Sequence, residues 1–186
     1  MSRLACLCFA LLAATAVAAP AAAGVRVFSY DAGNDVTRKV AGDLTFRFNQ
    51  RLIFTTVLDI RSTEGRASAD LKPADEHALG GGGLNRLIGS SAQERDLYEV
   101  KADEDGAELI HAFCPGSSRA WLAFSRLVEG RPLRVQVIGD APKNAGSGGG
   151  AHLCHTLDFN YRGEWKLPST TPPVRPSDLK TPQFPY

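Results

Sequence analysis

The sequence predicts a mainly β fold: one antiparallel β-sandwich or partly closed barrel with at most short helices. Three observations carry that expectation. Apolar residues fall on alternate positions in stretch after stretch, turn-forming residues separate those stretches, and apolar patterning at the helix period is thin. About seven to nine strands fit into the chain at this spacing.

The first candidate strand covers residues 25–30. In the second, Leu44, Phe46 and Phe48 alternate with Thr45, Arg47 and Asn49, which places the apolar side chains on one face. Residues 52–60 are β-branched or apolar on both faces and predict a central strand covered on both sides. Shorter strands are expected over 97–101 and 108–114. Residues 119–128 read as a strand joined to 132–140 through Glu129-Gly130 and Pro132. A helix over 117–128 is the competing reading, because Trp121, Phe124 and Val128 are also spaced three and four apart and Ser117 or Ser118 can cap. The last strand, 153–162, sets Leu153, Leu157, Phe159 and Tyr161 on one face and Cys154, Thr156, Asp158, Asn160 and Arg162 on the other. Turn chemistry sits between them at 31–35, 63–65, 103–106 and 129–130. One or two short helical turns are expected around residues 84–88, since Gly80 to Gly83 oppose a long helix.

The ends of the chain define its organisation. Behind Arg3 an apolar run over residues 4–19 leads into Ala21, Ala22 and Ala23, the layout of a secretory signal with cleavage after Ala23 or near Ala18. The run is interrupted by Pro20 and is shorter than a spanning helix requires, so no membrane span is expected in the mature chain. Cys6 precedes most of the apolar run, whereas a lipid-bearing cysteine follows it. The expected division is a signal peptide over 1–23, a β-rich domain over 24–166 and an extended tail over 167–186 that carries six prolines. The expected location is periplasmic or secreted.

Loss of Arg3 brings a formal charge of +1 to zero, which gives no electrostatic reason to bind nucleic acid or an anionic membrane surface. Arg26, Arg47, Arg61, Arg134 and Arg162 alternate with apolar neighbours and read as the solvated faces of strands. A small outer-membrane barrel, with those arginines facing a lumen, is opposed by the scarcity of lipid-facing girdle aromatics. Cys6 and Cys8 leave with the signal. Cys114 and Cys154 then form an even pair in an oxidising compartment, and a disulfide between them stabilises by roughly 4 kcal/mol through loop closure.

Candidate chemistry concentrates around that pair. His152, Cys154 and His155, with His111 and Cys114, offer imidazole and thiolate of the kind that suits zinc or copper. Strand alternation puts His152 and Cys154 on one face but turns His155 away, and a disulfide consumes both thiolates. A disulfide with incidental histidines is therefore expected, with no metal and no cofactor. Asp103-Glu104-Asp105-Gly106 resembles the start of a calcium loop, but Lys101 stands where a ligand is needed and the closing glutamate is missing. No Gly-x-Ser-x-Gly elbow occurs, and Ser177 with Lys180 matches Ser-x-x-Lys in letters only. A histidine base beside Asp158 or Ser125 is conceivable, yet no catalytic residue is assigned. The glycine tracts 80–83 and 146–150 lack the frame of a phosphate loop. The expected function is an exported, soluble binding or accessory protein of a bacterial-type cell envelope, acting on an unknown envelope protein or small ligand. The alternatives are a hydrolase whose site assembles only in the fold, and a metal-binding protein using His152, Cys154 and Cys114.

Overall fold

A computed structural model describes residues 24–51, 54–63, 67–103, 105–140 and 150–165. The expected signal peptide and the proline-rich tail lie outside them. The described chain forms a closed antiparallel barrel of eight strands in which each strand pairs with the next and the last returns to the first. The strands are β1 (Gly24–Ala32), β2 (Leu44–Arg51), β3 (Phe54–Ser62), β4 (Ser68–Pro73), β5 (Asp96–Val100), β6 (Ala120–Phe124), β7 (Leu133–Gly139) and β8 (His152–Trp165). The predicted β class and partly closed barrel are thus realised in fully closed form, which leaves no free sheet edge.

Alternation decides what faces inward. Phe28 and Tyr30 of β1, Phe46 and Phe48 of β2, Tyr98 of β5, Phe124 of β6 and Phe159 of β8 belong to one buried cluster. Their rings meet mostly edge to face: Phe28 lies 4.8 Å from Phe48 and Tyr30 lies 5.7 Å from Phe46, whereas Tyr98 and Phe124 stack at 5.2 Å. The lumen is therefore a packed core. The β2–β3 register shifts between Val57 and Asp59, and at this bulge the Val57 N–H donates to the Tyr98 hydroxyl at 3.3 Å.

One end of this barrel is lidded by two helices. Helix α1 (Asp35–Val40) follows β1, capped by the Asn34 side chain, which accepts from the Thr37 N–H at 2.8 Å. Helix α3 (Gly106–Phe113) follows β5 and buries Leu109, Ile110 and Phe113 in the barrel core. Residues 108–114 were expected as a strand. The structure corrects this, because Leu109, Ile110 and Phe113 recur at helical spacing and the segment has a barrel end, not a sheet edge, to cover.

The connection from β4 to β5 folds back over the outside of the barrel. Its short 3₁₀ turn (Glu76–Leu79) and α2 (Gly83–Ile88) match the short helical turns expected there. Leu79 and Leu84 pack on Trp121, Ala123 and Ile138 to make a second, outer core over β6 and β7. Residues 119–128 resolve in favour of the strand, since β6 pairs with β7 from Ala120↔Gly139 to Phe124↔Val135. The doubly covered strand expected over 52–60 is corrected: β3 is covered inside by the core, while outward Thr56 and Arg61 are exposed. Leu153 is corrected too. A register shift between Val137 and Ile138 pairs His155 with Val137 and Leu153 with Ile138, which turns Leu153 away from the face of Leu157 and Phe159.

Candidate functional site

Three features of the barrel concentrate polar chemistry: a mouth, an outer groove and a thiol cluster. The mouth lies where β1 begins and β8 ends. Arg26 was expected on a solvated face, yet it shares the inward side of Phe28 and Tyr30. Its guanidinium donates to both oxygens of Glu164 at 2.7 Å, to Gln50 at 2.7 Å and to Glu129 at 2.9 Å. It also lies 4.8 Å above the Phe28 ring. The hydrogen bond to Glu164 holds the guanidinium charged against its partial burial, which opposes it. Beneath this plug the Tyr30 hydroxyl is buried with no hydrogen-bond partner among the described residues, and burial pushes its proton affinity well above that of an ordinary phenol.

Outward positions of β1 to β4, with the end of β8, line a groove of about 840 Å³. Asp43, Asp59 and Asp70 reach it, as do Asp103 and Asp105 from the β5–α3 connection. Arg47 pairs with Asp59, Lys101 holds Asp70 at 3.0 Å, and Arg162 lies 3.6 Å from Asp43. Arg61 also lines the groove, and Trp165 flanks it with 64% of its surface exposed. The Trp165 indole N–H donates to Ser29 Oγ at 2.7 Å, which fixes the ring on the outer wall. No histidine lines the groove.

The thiol cluster occupies the lidded end. Cys114 caps the C-terminus of α3 and Cys154 sits at the β8 register shift. Their Cα atoms are 5.5 Å apart, at disulfide distance, and their sulfurs are in bonding contact. His152 brings its Nε2 to 3.5 Å from the Cys154 sulfur and 3.8 Å from that of Cys114. The ligand atoms of these three residues lie within 4.8 Å of one another. Ser117 Oγ stands 3.2 Å from the Cys114 sulfur and donates to the Asp140 carbonyl at 2.8 Å. Glycine is required at 139, because a Cβ there would collide with the Cys114 sulfur and the Ser117 hydroxyl and come within 3.0 Å of the Cys154 sulfur. Asp140 fixes the adjoining turn: its carboxylate accepts from Ser118 Oγ at 2.6 Å, Ser118 N–H at 2.8 Å and Arg119 N–H at 2.9 Å. Burial raises the affinity of this carboxyl for a proton, but those hydrogen bonds together outweigh it and hold the pKa below the ordinary carboxylate value.

Of the residues singled out in the sequence, Cys114, Cys154 and His152 thus come together. His155 stands opposite Val137 and His111 lies exposed on α3, so neither joins them. Asp158 accepts from Arg134 at 2.7 Å and from Asn34 at 3.4 Å, not from a histidine base. Ser177 and Lys180 lie outside the described residues. Comparison with protein-family models, with curated proteins and with solved structures finds no match for this chain. Sequence reasoning missed Arg26, Trp165 and the groove carboxylates as a set. No local motif joins them, since the Arg26 mouth and the outer groove each assemble only when β8 pairs with β1.

Proposed function

We propose that the chain is an exported, soluble binding or accessory protein of a bacterial-type cell envelope, periplasmic or secreted, which engages an envelope protein or a small ligand along its outer groove. The observation that carries this reading is the groove of about 840 Å³ with mixed charge and one exposed indole. The lumen offers no competing site, because aromatic side chains fill it. The outer wall supports the soluble reading: ion pairs such as Arg47–Asp59 and Arg134–Asp158 stand where a lipid-facing barrel needs an apolar band. No helix among the described residues is long and apolar enough to cross a membrane. The hydrolase alternative has less support, since three of the five groove carboxylates are ion-paired and no histidine accompanies them.

The test is retention of a specific component from an envelope fraction by immobilised protein. It compares wild type with an Arg61→Glu, Asp103→Arg variant whose thermal unfolding matches wild type. Loss of that component with the variant is expected. Equal retention by both proteins would remove the groove from consideration. Turnover of an ester, glycoside or peptide substrate that Asp103→Asn abolishes would put the hydrolase reading in its place.

A further inference from the structure

We propose that Cys114, Cys154 and His152 form a redox-gated site for a thiophilic d10 cation, best matched by copper(I). With the sulfurs joined, the pair is a staple between α3 and β8. With the sulfurs separated, the same atoms are two thiolates and one imidazole facing a common point.

The geometry favours opening from one side. Cys114 is buried, with 1% of its surface exposed, whereas Cys154 is partly exposed beside exposed His152. A thiolate of an external dithiol therefore reaches the Cys154 sulfur, forms a mixed disulfide there and expels the Cys114 sulfur as the leaving thiolate. That leaving sulfur has Ser117 Oγ at 3.2 Å and His152 Nε2 at 3.8 Å as its polar neighbours. The dithiol's second sulfur then displaces Cys154. Two electrons and two protons pass to the pair, and the dithiol leaves as its own disulfide.

The opened pair fits a metal sterically and chemically. A cation about 2.3 Å from each sulfur needs the sulfurs to part to roughly 4.0 Å at the trigonal angle of a three-ligand shell. Cα atoms 5.5 Å apart allow that by rotation about the side chains alone. Gly139 leaves the space beside both sulfurs free of a side chain. Nε2 of His152 already lies within 3.8 Å of both sulfurs, and the three ligand atoms sit within 4.8 Å of one another. Two soft thiolates with a single imidazole select copper(I) or zinc, and three ligands complete a trigonal copper(I) shell while leaving zinc one position short. Uptake of the cation displaces both thiol protons. His111 and His155 do not enter the set, which narrows the wider His/Cys cluster of the sequence to Cys114, His152 and Cys154.

The experiment uses the chain reduced with a phosphine under argon, desalted and titrated with copper(I) against a chromophoric chelator. A parallel titration uses zinc(II). Reduced protein is expected to take one equivalent of copper(I), with sulfur and nitrogen in the X-ray absorption first shell, and oxidised protein none. Cys154→Ser abolishes uptake. His152→Ala weakens it by roughly 10–100-fold or more, the scale on which even an outer-shell partner counts. His111→Ala and His155→Ala leave it unchanged. Uptake of zinc but not copper(I) would overturn the choice of cation. Equal binding by oxidised and reduced protein, unchanged binding by His152→Ala, or loss of far-UV circular dichroism on reduction would overturn the site itself.

Discussion

Single side chains in this barrel show how far local chemistry can be pressed. The Tyr30 hydroxyl is buried without a partner among the described residues, so it contributes desolvation cost with no compensating hydrogen bond there. Tyr30→Phe is expected to leave stability unchanged or raise it by up to about 1 kcal/mol in urea unfolding. A loss larger than that would mean the hydroxyl is satisfied. Asp140 is the opposite case. Its carboxylate takes three hydrogen bonds from Ser118 and Arg119, and Asp140→Ala is expected to cost roughly 1–3 kcal/mol. Because its folded pKa is depressed, that stabilisation is complete above its unfolded pKa of about 3.9 and is lost as pH falls through the lower folded value. The stability gap between wild type and Asp140→Ala should therefore narrow between pH 5 and pH 2, which thermal melts across that range would test. A constant gap would contradict it.

At the scale of elements, α3 and the start of β8 are held to one another beside Gly139. Gly139→Ala places a methyl group where two side chains already stand, so it is expected to destabilise by roughly 1–3 kcal/mol. It should also raise the free-thiol count of the unreduced protein, read by thiol titration. An unchanged count with an unchanged melt would show that the α3 end relaxes freely. Elements were unevenly legible in the sequence. The alternation in β2 marked its inward face, because Leu44, Phe46 and Phe48 pack on the core while Thr45, Arg47 and Asn49 face out. The helix α3 was read as a strand, although Leu109, Ile110 and Phe113 carry a helix-period stripe, because a short apolar segment of eight residues fits either element. The cap of α1 was also present as Asn34, Asp35 and Thr37, but six residues of helix are too short to stand out from a turn. The Leu153 face was misjudged because alternation cannot reveal a register shift.

For the whole molecule, closure is the property that pattern alone could not decide between sandwich and barrel. The Glu129-Gly130 turn made the pairing of β6 with β7 foreseeable, while the return of β8 onto β1 joins residues more than a hundred positions apart. The groove was illegible for the same reason: Trp165, Arg61 and Asp103 become neighbours only through closure. Because one buried hydrophobic cluster takes side chains from all eight strands, unfolding should be a single cooperative transition. Phe46→Ala is expected to lower its free energy by roughly 3–5 kcal/mol without adding a second phase. Non-coincident transitions by fluorescence and circular dichroism would argue for two independently folding parts. Closure also fixes polarity of a different kind. Gly24 and Trp165 belong to neighbouring strands and lie at the same mouth, whereas Cys154 lies at the opposite end, eleven residues back along β8. A fusion partner or surface tether joined at either position holds the barrel by the Arg26 mouth. The thiol pair then points away from the point of attachment, toward whatever approaches from outside.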